Sequence, residues 1–291
     1  MGTSVSVELW HDDAAVGERL VTEVIAEYRR IDELMSTYKP SSEISRVNAA
    51  AAQSPVPIGD ELYDLIARSF EISRRSNGAF DISYESVGYL YDFRARQRPG
   101  DEQIAQALAA IDYRAIELDA QRSSVAFARD GMRINLGGIA KGYAVERAAR
   151  WLRMRGVEHA VLNAGGDTRV LGDRRGQPWI VGIRHPRAED DVMTKMPLID
   201  EAISTSGDYE RFFEENGERY HHIINPGTGL PTDALMSVTV IGSDAVLTDA
   251  LSTTVFVLGM EGGLELIEQY PGYEAIIVDR EGLLRYSSGL A

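Results

Sequence analysis

The stretch SDAVLTDALSTTVFVLG (243–259) places the tightest limit on how this chain can fold. It reads as an apolar helix with Ser243 as the candidate N-cap. That start puts Asp249 well inside the helix, with Thr253 four residues on along the same face and Ser252 beside them. A carboxylate in such a place is costly unless it meets a cation or hydrogen-bond donors. The fold must therefore bring Asp249 a partner. Two hard oxygen donors near a phosphate fit Mg²⁺, which takes few protein ligands and completes its shell with water and phosphate. A helix that begins only at Thr248, with Asp249 as its cap, is the competing reading.

The second informative stretch is INLGGIAKGY (134–143), read as the strand MRINL, a glycine turn and a helix over 142–155. It is not a Walker A loop, because Lys141 follows Ala140 and precedes Gly142. It is not a dinucleotide fingerprint either, because Gly137, Gly138 and Gly142 are wrongly spaced. The underlying physics still applies: glycines let backbone amides approach an anion, a helix N-terminus adds partial positive charge, and Lys141 adds a full one. A structural turn with a surface lysine explains the same residues. The net charge of −15 excludes nonspecific nucleic-acid binding, so any anionic ligand must be held by local donors or a metal. There are no cysteines, which removes disulfides, thiolate metal sites and cysteine nucleophiles. No run approaches the ~18 apolar residues of a membrane span, so no transmembrane segment is expected.

In RYHHIINPGTGLP (219–231), adjacent histidines on a strand point to opposite faces, so at most one faces a site. A histidine there can take a proton from an attacking hydroxyl or serve the Pro-Gly turn structurally. The five histidines lack zinc-ligand spacing. Polar turns at MSTYKPSSEIS (35–45), NAGGD (163–167) and STSGDYER (204–211) add glycine and serine around the candidate metal helix. Together these features indicate a Mg²⁺-dependent phosphate-ester or dinucleotide site.

Elsewhere the opening residues alternate as a strand, without a leader pattern, so a leader is either absent or trimmed. Leu20, Val24, Tyr28, Ile31 and Met35 mark an amphipathic helix. A loop follows over 35–48, then helices near 59–75 and 101–111. A hairpin is expected from AIELD and SVAFAR, strands from HAVLNA, WIVGIRHP and SVTVIG, and two strands bracketing a polar turn near 215. A closing hairpin turns at 280–282. The expectation is an α+β fold of mixed sheets with packed helices and one continuous core. Residues 1–291 form a single unit, with two intimately packed lobes as the alternative.

These segments, in this order, resemble the FAD:protein FMN transferase family, the ApbE-type flavin transferases. MSTYKPSSEISRVN, GAFDIS, INLGGIAKGYAVERA, VLNAGGD, STSGDYERFF, YHHIINPGTGLP and TDALSTTVFVLG carry the likeness across nearly the whole chain. The resemblance implies a compact T-fold-like architecture and an enzyme that uses Mg²⁺ to move FMN from FAD, its substrate, to a threonine hydroxyl of an acceptor protein, releasing AMP. It implies a metal held by Asp249, Thr253 and the Gly138 carbonyl. FAD would lie along Met35, Tyr38, Ala79, Phe80, Asp81, Asn135, Lys141, Asp167, Thr205, His222 and Ile223. His222 would be the base, with Lys141 and Asp249 as its catalytic companions. Two departures stand out: Asn135 replaces a frequent aspartate, and ISYESVGYL follows GAFD where the family commonly has a Pro-Thr-Val-Gly-Pro-Leu run. Asn225 also replaces a frequent aspartate. Hydrolysis of FAD to FMN and AMP is the alternative chemistry, and a non-catalytic flavin carrier is the alternative class. Family members are often exported and lipid-anchored, which implies the periplasmic side of the inner membrane, with the cytoplasm as the alternative.

Overall fold

The computed structural model describes residues 3–290. Its helices are α1 (Ala14–Met35), α2 (Glu43–Ala50), α3 (Asp60–Arg75), α4 (Glu85–Gly88), α5 (Asp101–Leu108), α6 (Ala140–Arg153) and α7 (Ala245–Ile267). The stripe predicted for α1 is buried at all five positions. Asp13 caps that helix, its Oδ1 accepting from Ala15 N at 2.9 Å and Val16 N at 3.1 Å, an arrangement worth ~1 kcal/mol. The expected loop over 35–48 is shorter than predicted, because Ser42 accepts from Ser45 N and starts α2.

The strands are β1 (Val5–Leu9), β2 (Val56–Pro57), β3 (Ile116–Asp119), β4 (Ser124–Phe127), β5 (Ala160–Ala164), β6 (Asp167–Leu171) and β7 (Trp179–His185). They continue with β8 (Ala188–Leu198), β9 (Ala202–Gly207), β10 (Phe212–Glu215), β11 (Glu218–His221), β12 (Leu235–Gly242), β13 (Glu274–Asp279) and β14 (Leu284–Tyr286). The opening strand is thus β1; Met1 and Gly2 lie outside the described residues. Seven strands form one sheet in the order β1-β5-β6-β9-β12-β13-β14, with every neighbouring pair antiparallel.

Both faces of this sheet are covered. Val238, Val240, Ala275 and Ile277 pack with α7, while Ile241 and Ile276, of opposite parity, pack with Trp179, Ile183 and Leu198 of β7 and β8. Helices α1 and α6 extend the helical layer over β5. The site lies where this layer meets the ends of β6 and β9.

Three expectations need correction. Residues 132–136 form no strand. Their amides are taken by remote partners instead: Arg133 N donates to Ser86 Oγ, Ile134 N to Asn48 Oδ1 and Asn135 N to Ile82 O. Helix α7 is capped by Asp244 rather than Ser243, with Oδ1 accepting from Val246 N and Leu247 N. Finally, α7 does have the length and apolar composition of a membrane span, but 56 % of that window is buried inside the protein. Gly259, at φ 77°, also kinks it.

Candidate functional site

One cavity of about 730 Å³ gathers nearly all the predicted residues. Met35 and Tyr38 enter from the end of α1 and the loop beyond it, and Ala79, Phe80 and Asp81 from the turn after α3. Asn135, Gly138 and Lys141 come from the glycine turn and the first turn of α6. Thr205 lies on β9, His222 and Ile223 follow β11, and Thr253 faces in from α7. Asp167 and Asp249 do not line the cavity. Each is 1 % exposed, and both connect to it through Lys141.

Helix α7 starts at Ala245, so Asp249 lies inside it and does not cap it. The partner its burial demands is Lys141, whose Nζ donates to Asp167 Oδ2 at 2.5 Å and to Asp249 Oδ1 at 3.3 Å. Gly142 N supplies a further bond to Asp249 Oδ2 at 2.8 Å. Burial alone would favour a neutral amine at Lys141, but the Asp167 and Asp249 charges outweigh it and hold the ammonium above its ordinary value. Burial and the neighbouring Asp167 carboxylate push the Asp249 carboxyl up to about 7, against the pull of Lys141 and Gly142 N. Two carboxylates thus share one ammonium, and Asp167 Oδ1 is buried with no hydrogen-bond partner among the described residues.

Gly138 packs against Thr253: a Cβ added there would lie 3.3 Å from both Oγ1 and Cγ2 of that threonine, and 3.3 Å from the Phe80 ring. Gly138 and Thr253 therefore meet, and Asp249 lies one helical turn before Thr253 on α7. Ser206 Oγ lies 3.2 Å from Thr253 Oγ1 and joins the set.

The two histidines separate, although β11 ends at His221 and His222 lies just beyond it. His221 is buried against Phe256, its Nε2 donating to Thr232 O while Nδ1 accepts from Ile223 N. Its role is to hold the turn. His222 lines the cavity, and its Nδ1 donates to Arg211 O at 3.3 Å, leaving Nε2 as the nitrogen able to accept a proton. Burial, aided by the neighbouring His221 and by the Lys141 and Arg211 charges, lowers the His222 imidazole to about 3. It is neutral throughout the physiological range.

Asp81 borders the cavity, yet its carboxylate is committed inward: Oδ1 accepts from Ser83 N and Ser83 Oγ, and Oδ2 from Tyr113 N. Thr205 Oγ1 is likewise engaged with Thr239 Oγ1 at 2.8 Å. Asn135 donates from Nδ2 to Glu85 Oε2 at 2.9 Å, so two positions that depart from the resembled pattern touch each other. Burial pushes the Glu85 carboxyl up to about 7, with Asn135, Arg133 and Arg211 opposing.

Sequence reasoning did not assign Arg211 or Glu85 to the site. Arg211 lies at the cavity between the rings of Tyr38 and Phe93, 5.1 and 4.7 Å from their centroids, and donates to the Tyr38 hydroxyl. Its only sequence signal was its place in the STSGDYER turn.

The ApbE family model matches residues 1–277. The chain is 31 % identical over 284 residues to a FAD:protein FMN transferase of Klebsiella pneumoniae, covering 96 % of this chain and 87 % of the relative. Its fold is similar to that of the ApbE protein of Thermotoga maritima, with TM-score 0.91, 32 % identity, and 99 % and 95 % of the two chains covered. The apo flavinyl transferase ApbE of Pseudomonas stutzeri is similar at TM-score 0.87 and 32 % identity, with 100 % and 93 % covered.

Proposed function

The chain belongs to the ApbE family, and from that premise we propose that it moves FMN from FAD to a threonine hydroxyl of an acceptor protein with Mg²⁺, releasing AMP. It is a transferase, as its relatives named FAD:protein FMN transferase are. The observation that carries the finer reading is the placing of Lys141, Asp249, Thr253 and Gly138 at one wall of a cavity that His222 also lines.

The residues present fit a hard divalent cation. Asp249, Thr253 and the Gly138 carbonyl offer oxygen donors, and Asp167 Oδ1 has no hydrogen-bond partner among the described residues. Bound there, Mg²⁺ would neutralise charge developing on the pyrophosphate. Lys141 adds a fixed positive charge at the same wall, and Gly142 N keeps the Asp249 carboxylate oriented.

In the transfer, the acceptor threonine Oγ bonds to the FMN-side phosphorus while the bond from that phosphorus to the bridging oxygen breaks. AMP leaves with that oxygen. The threonine proton passes to His222 Nε2, which is free because Nδ1 is engaged with Arg211 O. Burial, then the neighbouring His221, Lys141 and Arg211, depresses the basicity of His222; an anionic substrate offsets the Lys141 and Arg211 charges and removes that part of the depression. Arg211, braced between Tyr38 and Phe93, offers a planar cation at the cavity wall.

The test is to incubate the protein with FAD, Mg²⁺ and a threonine-containing flavin-acceptor domain. Flavin fluorescence that stays with the acceptor in a denaturing gel is the expected result. AMP and free FMN without labelling would identify a hydrolase, and intact bound FAD a carrier. The proposal includes action on the periplasmic side of the inner membrane, which cell fractionation tests.

A further inference from the structure

Glu85 opens α4 and is 8 % exposed, although it borders the cavity. Its Oε2 accepts from Asn135 Nδ2 at 2.9 Å, while Asn135 Oδ1 accepts from Gly137 N at 2.8 Å. A backbone amide can only donate, so the carboxamide has one allowed orientation: oxygen toward the glycine turn, nitrogen toward Glu85. The backbone of Asn135 is tied to the same region, because its N donates to Ile82 O at 2.8 Å. Helix α4 is itself packed tightly here: a Cβ on Gly88 would lie 3.2 Å from Glu85 Oε2 and 3.0 Å from the Tyr84 ring. The Tyr84 hydroxyl lies 3.6 Å from where a Cβ on Gly137 would be.

We infer that Glu85 is a positioning residue for the nucleotide site: acting through Asn135, it sets the conformation of the Gly137–Gly138 turn on which FAD binding depends. This rests on the function proposed above. Removing the carboxylate frees the Asn135 carboxamide to rotate away from Gly137 N, and the turn loses its brace. An aspartate at 135 would keep the bond to Gly137 N but turn its second oxygen toward Glu85 Oε2, placing carboxylate against carboxylate. A glutamine at 85 would then supply the missing donor. Residues 85 and 135 thus form a pair whose polarity can be exchanged but not broken.

The experiment titrates FAD, followed by flavin fluorescence with Mg²⁺ present, into wild type, E85A, E85Q, N135D and the double variant N135D/E85Q. Circular dichroism melting checks each fold. E85A should raise the Kd about tenfold, as loss of a buried charge-assisted bond would, and E85Q should stay within about twofold because its carbonyl still accepts. N135D should weaken binding about tenfold, and the double variant should recover most of that loss. In turnover assays the change should fall mainly on KM for FAD. The inference is overturned if folded E85A binds FAD as wild type does, or if the double variant is no better than N135D. Should E85A fail to fold, the 135 pair decides alone. Failure of wild type to bind FAD would overturn the proposed function and this inference together.

Discussion

Gly142 N donates to Asp249 Oδ2 at 2.8 Å, so a backbone amide of α6 meets a buried carboxylate of α7 where the two helices pack. A Cβ at Gly142 would lie 2.1 Å from Ala245 O and 2.6 Å from Asp249 Cβ, distances that admit only glycine. The glycine turn does bring an amide to an anion, as the sequence suggested. For Gly142, that anion is the protein's own carboxylate. Glu146 reinforces the junction, its Oε2 accepting from Ala245 N at 3.0 Å.

Gly142→Ala should therefore push the two helices apart and cost about 2–3 kcal/mol, or more where the backbone cannot shift. Urea denaturation gives the value. A midpoint equal to wild type would mean that the α6–α7 contact is looser than these distances state.

Asp249→Ala should lower FAD turnover on the order of 100-fold or more through loss of cation binding, while Lys141 stays paired with Asp167 and the fold persists. The rate is read across a Mg²⁺ titration. An unchanged rate and Mg²⁺ dependence in this variant would sink the metal assignment.

His222→Ala should abolish flavin labelling of the acceptor yet leave FAD affinity within about threefold, since its proposed task is proton transfer. Because the imidazole of the ligand-free protein is held near 3, kcat/KM for labelling should show no inflection from His222 between pH 6 and 7. Gel fluorescence across a pH series reads both points. Full labelling by the variant would remove His222 from the base role.

Glu85 carries a pH signature. Its carboxyl titrates at about 7 in the folded protein, against an ordinary value of 4.5. The folded state therefore holds the proton more tightly. The resulting stabilisation is complete below about pH 4.5 and disappears as pH rises through 7, a change on the order of 3 kcal/mol. Arg133, Arg211 and Asn135 face the group and limit the shift. Denaturation at pH 5 and pH 8 should show a smaller fall for E85Q than for wild type. Equal falls would assign the slope to other groups.

Much of the site could be read in the sequence because helical and strand periodicity survive folding. The four-residue spacing put Asp249 and Thr253 on one face of α7, and only one of the two histidines lines the cavity, as expected, although β11 ends at His221. Where local patterns were ambiguous, distant partners decided. MRINL reads as a strand, but Ser86 and Asn48 take up its amides, and neither pairing is encoded within the segment. Ser243 and Asp244 are both good caps; the chain uses Asp244, whose carboxylate also pairs with Arg68 and Arg150. The turn of helix at 85–88 and the stacking of Arg211 depend on tertiary contacts alone. The long β7–β8 hairpin was half visible, because β8 carries charges at positions that a buried strand would fill with apolar residues.

The shared ammonium has a consequence for the order of events. With both carboxylates resting on Lys141, an anion arriving alone meets a wall whose positive charge is already claimed, and a cation arriving alone finds oxygen donors but no phosphate to complete its shell. On the proposed function, only the two together would satisfy every group, and the site would work as a coincidence detector. Each of FAD and Mg²⁺ would then tighten the binding of the other by the same factor. In a protein of net charge −15, such gating would keep the many free anions of the cell from occupying a cavity meant for one that arrives with its metal.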